Sequence, residues 1–147
     1  GGNCFFNIVK YIKCNDEMIK KLKENKINEK YIAVHFRNTD RFNDINLFIS
    51  KIKKYKDYKI YIATDNFNAL QVFKKELKDY QLFYYFEPYN AKGRNIHFND
   101  PDKNKVITSI LVDIYMMYNS DIFIDSPNSL VSKLTKYMRN NKKSIFE

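Results

Sequence analysis

Two kinds of apolar spacing alternate along the chain. Short runs of consecutive β-branched and aromatic residues read as buried strands, and apolar residues recurring every three or four positions read as amphipathic helices. Met18, Ile19 and Leu22 share one stripe and predict a helix over 15–26, with Asn15 or Asp16 able to cap it. YIAVHF (31–36) reads as a strand. Ile45, Phe48, Ile49 and Ile52 predict a helix over 44–55, and YKIYIA (58–63) a second strand. Phe67, Leu70, Phe73 and Leu77 mark a helix over 66–78, followed by a strand at QLFYYF (81–86) that Pro88 helps to end.

The polar stretch 87–102, with Gly93 and Pro101, reads as one long loop. Residues 103–119 form the most apolar helical stripe, with Ile107, Ile110, Leu111, Ile114, Met117 and Tyr118, and DIFI (121–124) reads as a fourth strand. Ser126 is then expected to cap a last helix, with Pro127 at its first position and Leu130, Val131, Leu134 and Tyr137 turned inward. SIFE (144–147) reads as a final short strand.

Strands alternating with helices imply right-handed crossovers and a mostly parallel sheet covered on both faces. The expected fold class is α/β, a doubly wound Rossmann-like sheet, with residues 1–147 forming one domain. Ligands of such sheets bind outside the carboxyl ends of the strands. The polar clusters fall there: RNTDR after the first strand, TDN after the second, EPYNAKGRN after the third and DSPNS after the fourth.

Composition changes this picture little. Apolar residues at 44% and aromatics at 16% exclude a disordered chain. The net charge of +9 favours phosphate-bearing partners in general. Apart from Arg37, Arg41, Arg94 and Arg139, however, the basic residues are lysines, and clusters such as Lys20, Lys21, Lys23 and Lys51, Lys53, Lys54 lie on polar helix sides. With no groove-reading helix or aromatic ladder, no nucleic-acid partner is expected. Cys4 and Cys14 lie far in sequence from His35 and His97 and form no metal set, so no metal is expected. No apolar run reaches the roughly 18 residues of a membrane span, and no signal-peptide pattern is visible. A soluble protein is expected, cytoplasmic rather than secreted.

The strand ends carry the chemistry. There is no G-x-G-x-x-G and no Walker loop, so the usual nucleotide fingerprints are absent. What stands there instead is Arg37 and Arg41 at one strand end and the helix start Ser126-Pro127-Asn128-Ser129 at another. An arginine grips phosphate through two parallel bonds, and a helix start offers N–H groups and partial positive charge. Together they suit a diphosphate. Asp65 is placed to accept bonds from ribose hydroxyls or a base. Asp113, among Ile110, Ile114 and Met117, would be costly as an unpaired carboxylate. It is expected either to bond backbone or arginine groups at the strand-end edge or to face the ligand. Plainer roles stand beside these: a surface pair with Asp40 for Arg37, a structural histidine for His35, and helix caps for Asp44, Asp65 and Ser126.

HFRNTDR, IYIATDN and ILVDIYMMYNSDIFIDSPNSLVSKL, in that order, resemble the three motifs of the fucosyltransferases. The likeness is to the α-1,6-fucosyltransferase and nodulation fucosyltransferase group, whose first motif runs H-x-R-R-x-D-K. With the upstream FFNIVKYIKCNDEMIKKLKENK, it extends from about residue 5 to residue 139. The resemblance implies the donor-binding half of a GT-B glycosyltransferase that takes GDP-fucose. Transfer would go to a glycan hydroxyl with inversion and without a metal.

By the same resemblance, His35, Arg37, Asp40 and Arg41 match the first motif, with Arg37 as the diphosphate ligand and Arg41 where a lysine is usual. Asp65 matches the acidic residue of the second motif, near the guanosine. Asp113, Asn128 and Ser129 match the third, with Ser126 beside them. Three departures accompany the likeness. Asn38 stands in place of a second arginine, Asn66 in place of a second aspartate, and Asp44, the candidate general base, lies one position out of register. The likeness does not extend to the amino-terminal acceptor domain of such enzymes, so either an excised domain or a minimal protein that borrows its acceptor site is expected. A degenerate, non-catalytic GDP-sugar-binding domain is therefore the alternative reading.

Overall fold

The computed structural model describes residues 16–24, 26–37, 44–85, 103–127 and 129–146. Its organising element is β1 (Tyr31–Phe36), in which all six side chains are buried. A strand that is apolar on both faces can only be satisfied in the middle of a covered parallel sheet. β1 accordingly pairs in parallel with β2 (Lys59–Thr64) on one side and β4 (Ile122–Ile124) on the other, and β2 pairs with β3 (Leu82–Phe83). The sheet order is β3-β2-β1-β4, all strands parallel.

Alternation along β1 sorts the helices between two faces. Ile32, Val34 and Phe36 pack with Ile60 and Ile62 against α2 (Ile45–Ile52) and α3 (Phe67–Glu76). Phe36 meets Phe48 and Phe73 edge to face, at 5.1 and 5.7 Å between centroids. Tyr31 and Ala33 point the other way with Tyr61 and Ala63. There they pack against α1 (Asp16–Lys23), α4 (Lys103–Tyr118) and α5 (Leu130–Asn141). Helices cover both faces, so the molecule is the doubly wound, Rossmann-like α/β fold expected. Among the described residues no helix is long and apolar enough to cross a membrane.

Four expectations need correction. The third strand is two residues long: it lies at the sheet edge with one neighbour, and Tyr84 leaves the ladder to lie under Lys74 Nζ at 5.0 Å from its ring. Ser126 does not cap the last helix. Ser129 does, accepting a bond from the Ser132 N–H, and Pro127 lies in a turn before the helix. Leu130 is 69% exposed, because α5 turns Ser132, Thr135 and Met138 inward while Val131, Leu134 and Tyr137 are only partly buried. Residues 144–146 of the expected last strand form none, Glu147 lying outside the described residues: Lys142, in a left-handed conformation, ends α5 before them. A turn closed by Phe146 N–H to Ser144 Oγ then sets Phe146 against Tyr115. The loop expected at 87–102 lies outside the described residues.

Candidate functional site at the strand ends

The order β3-β2-β1-β4 contains one topological switch point. From β1 the chain moves outward to β2 and β3, then returns across the sheet to β4 on the far side of β1. The helices that follow β1 and β4, α2 and α5, lie on opposite faces of the sheet, and the edge between two such strand ends is where folds of this kind hold ligands.

Register decides which residues line it. Phe36 stands opposite Thr64, so the next residues along, Arg37 and Asp65, leave the sheet side by side. Arg37 Nε lies 3.7 Å from Asp65 Oδ2, ion-pair range beyond ordinary hydrogen-bond length. The Asp65 side chain is only 4% exposed and that of Arg37 24%. A carboxylate so deeply placed needs a cation beside it, and removing one partner of such a pair destabilises more than the pair itself contributes. The cap role weighed for Asp65 belongs to its neighbour. Asn66 Oδ1 accepts from the Ala69 N–H at 2.8 Å and starts α3, which leaves the Asp65 carboxylate at the strand end.

The β4 side is built from small hydroxyls. Val34 stands opposite Ile124, which brings Ser126 level with the end of β1. The Arg37 N–H donates to Ser126 Oγ at 3.3 Å, and the Ser126 N–H donates to Ser132 Oγ at 3.0 Å. Ser132 Oγ also lies 2.6 Å from His35 Nδ1, and the Ser132 N–H donates to Ser129 Oγ at 3.4 Å. Ser126, Ser129 and Ser132 are all buried, as is His35. Three parts of the chain distant in sequence, at residues 35–37, at residue 65 and at Ser126, Ser129 and Ser132, thus meet at one edge.

The other described candidates make separate contacts. Asp44 caps α2 by accepting from the Asn46 N–H at 2.9 Å and is exposed on the opposite side of the sheet from α5. Asp113 accepts a 2.6 Å bond from the Tyr61 hydroxyl, neither a backbone group nor an arginine. Tyr61 precedes Asp65 by four strand residues, roughly 13 Å of extended chain. This contact therefore sits inside the helix–sheet layer, below the rim. Burial pushes the Asp113 carboxyl up to about 7, with the Tyr61 bond pulling the other way. Burial and the adjacent carboxylate push the Tyr61 hydroxyl well above its usual range. Asp40, Arg41 and Asn128 lie outside the described residues. Among those described, no group of three or more His, Cys, Asp or Glu side chains could hold a metal.

Sequence reasoning overlooked Ser132 and Tyr61. Ser132 carried a signal, as a serine spaced three residues from Ser129 and from Thr135 on what proves to be the buried stripe of α5. Tyr61 carried none, because a tyrosine inside an apolar strand reads as core.

No protein-family model matches this chain, and no curated protein sequence does. Among solved structures it is similar to NodZ α-1,6-fucosyltransferase in a crystal soaked with GDP-fucose, with a TM-score of 0.58 and 21% identity. The match covers 88% of this chain and 44% of that one. At this identity the likeness is one of fold, and this chain spans less than half the length of that enzyme.

Proposed function

We propose that this chain is the donor-binding half of a fucosyltransferase-type glycosyltransferase, taking GDP-fucose as its donor. The observation that carries the reading is the place of Arg37 at the switch point, between the Asp65 carboxylate and the start of α5. The similarity in fold to an enzyme soaked with GDP-fucose supports it.

In this scheme the Arg37 guanidinium turns onto the diphosphate, and the first turn of α5 adds N–H groups and the positive end of its dipole. Both stabilise the charge that grows on GDP as the sugar departs. An acceptor hydroxyl of a glycan attacks the anomeric carbon from the face opposite GDP. The bond from that carbon to the diphosphate oxygen breaks, the new glycosidic bond forms with inversion, and a carboxylate takes the hydroxyl proton. Asp44 is one candidate for that carboxylate; the other is a residue of an acceptor domain. Asp65 turns from Arg37 to the ribose or base of the donor. His35, Ser126 and Ser129 frame the donor site, Asp113 holds α4 to β2 behind it, and Asp40, Arg41 and Asn128, outside the described residues, are proposed as further donor ligands. Arginine and helix start supply the positive charge, so the scheme requires no metal.

Calorimetric titration with GDP tests the assignment. Arg37→Ala should lower affinity by about 100-fold or more, since two charge-assisted bonds are lost, while the circular dichroism spectrum stays that of the parent. Unchanged affinity would remove Arg37 from the site. A second reading, a GDP-sugar-binding domain without catalysis, is favoured by Asn38 standing where the resembled first motif has a second arginine. Release of GDP from GDP-fucose, with and without glycan acceptors, separates the two.

A further inference from the structure

The hydrogen bonds behind Arg37 form a continuous path from the core to the rim. His35 Nδ1 lies 2.6 Å from Ser132 Oγ, Ser132 Oγ accepts from the Ser126 N–H at 3.0 Å, and Ser126 Oγ accepts from the Arg37 N–H at 3.3 Å. Ser126 and Ser132 are each 1% exposed and His35 is 9% exposed, so these bonds form away from water. A backbone N–H can only donate, so the bond from Ser126 occupies a lone pair of Ser132 Oγ and leaves its one proton to give. The short distance to His35 Nδ1 provides an acceptor for that proton if the neutral ring carries its own hydrogen on Nε2.

We infer that Ser132 is a positioning residue of the donor site: its hydroxyl, donating to His35 Nδ1 and accepting from the Ser126 N–H, locks the β4–α5 connection onto the end of β1 and thereby sets Arg37. The role follows from which parts the hydroxyl joins. His35 belongs to β1 and Ser126 to the segment after β4, the two strands that meet at the switch point, while Ser132 stands in the first turn of α5. One oxygen holds all three. His35 in this arrangement acts on the ligand through Ser132 and Ser126 and never touches it. The inference rests on the donor-site reading for its effect on binding, but the lock itself can be observed without any ligand.

Nitrogen-15 NMR of the unmodified chain reads the lock directly. The neutral His35 ring should be protonated on Nε2, with Nδ1 showing the shift of a hydrogen-bond acceptor. A ring protonated on Nδ1 overturns the inference. In Ser132→Ala, the amide resonances of Ser126 and Arg37 should move and the His35 Nδ1 shift should change. GDP affinity should fall about tenfold, the equivalent of one buried hydrogen bond. If the unmodified chain binds GDP and Ser132→Ala binds it equally well, Ser132 does not position the site. If the unmodified chain fails to bind GDP at all, the donor-site reading falls, and the resonances of Ser126, Arg37 and His35 still decide the lock. Should Ser132→Ala fail to fold, the tautomer in the unmodified chain remains the deciding measurement.

Discussion

Among the described residues, one arginine stands near each end of the parallel sheet, and the two are held in different ways. At the amino end, Arg139 shares its Nη1 hydrogens among the carbonyls of Met117, Tyr118 and Ser120 at 3.0, 3.1 and 2.8 Å and Ser120 Oγ at 3.0 Å. Its guanidinium also lies over the Phe123 ring at 5.9 Å. A cation at the C-terminus of α4 satisfies carbonyls that the helix itself cannot. Nearby, the Tyr31 N–H donates to Asp121 and the Tyr31 hydroxyl to the Met116 carbonyl, so this end is closed by hydrogen bonds of ordinary length. At the carboxyl end Arg37 meets Asp65 at 3.7 Å, in ion-pair range, and its backbone N–H is tied into the hydroxyl path. The difference separates an arginine spent on the fold from one that, under the proposed function, exchanges its carboxylate for the diphosphate of the donor.

Substitutions at the two ends should therefore part stability from binding. Arg139→Ala leaves several α4 carbonyls without their donor and should cost about 3 kcal/mol in chemical denaturation. The GDP affinity of the folded protein should not change. A loss of stability well under 1 kcal/mol would show that water replaces the guanidinium and that this end is less closed than described.

Asp113 gives an effect that depends on pH. Its carboxyl is pushed up to about 7 in the folded protein, against about 4 in an unfolded chain. Between those values the folded state holds a proton that the unfolded state has lost, so stability falls as pH rises from about 4 through about 7. Asp113→Asn, which keeps an oxygen for the Tyr61 hydroxyl, should flatten this part of the stability profile, measured by thermal unfolding across that range. An unaltered profile would mean that Asp113 is not the group responsible.

The smallest effect is expected beside the site. Asn66→Ala removes the cap of α3 and should cost about 1 kcal/mol without altering GDP affinity. Asp65→Ala, one residue earlier, should weaken binding. If the two behave alike, the division of labour between Asn66 as cap and Asp65 as site residue fails.

Much of this arrangement is legible in the order of the residues, for a physical reason. Six consecutive residues that can all be buried define β1, and alternation with helical stripes then forces a parallel sheet with its polar loops on one edge. The errors lie where a long-range contact chooses between local options of similar energy. Ser126, Ser129 and Ser132 repeat every three residues, and any of them can start a helix. The choice fell to His35, 97 positions away, which needs Ser132 beside its ring. The same contact rotates α5 so that Leu130 is exposed. The third strand shortened because an edge position gives Tyr84 no second neighbour, and adjacency in TDN hid which residue caps α3. The partner of Asp113 was invisible for the same reason: Tyr61 is 52 positions away and carries no local mark.

In the proposed function, the edge between the ends of β1 and β4 receives a GDP-sugar. Titrating isotopically labelled protein with GDP and following its backbone amides tests it most directly. Arg37, Asp65, Ser126 and Ser129 should shift in a saturable manner while Tyr31, Ser120 and Asp121 at the opposite end stay in place. Shifts centred on that opposite end, or no saturable shift anywhere, would contradict it.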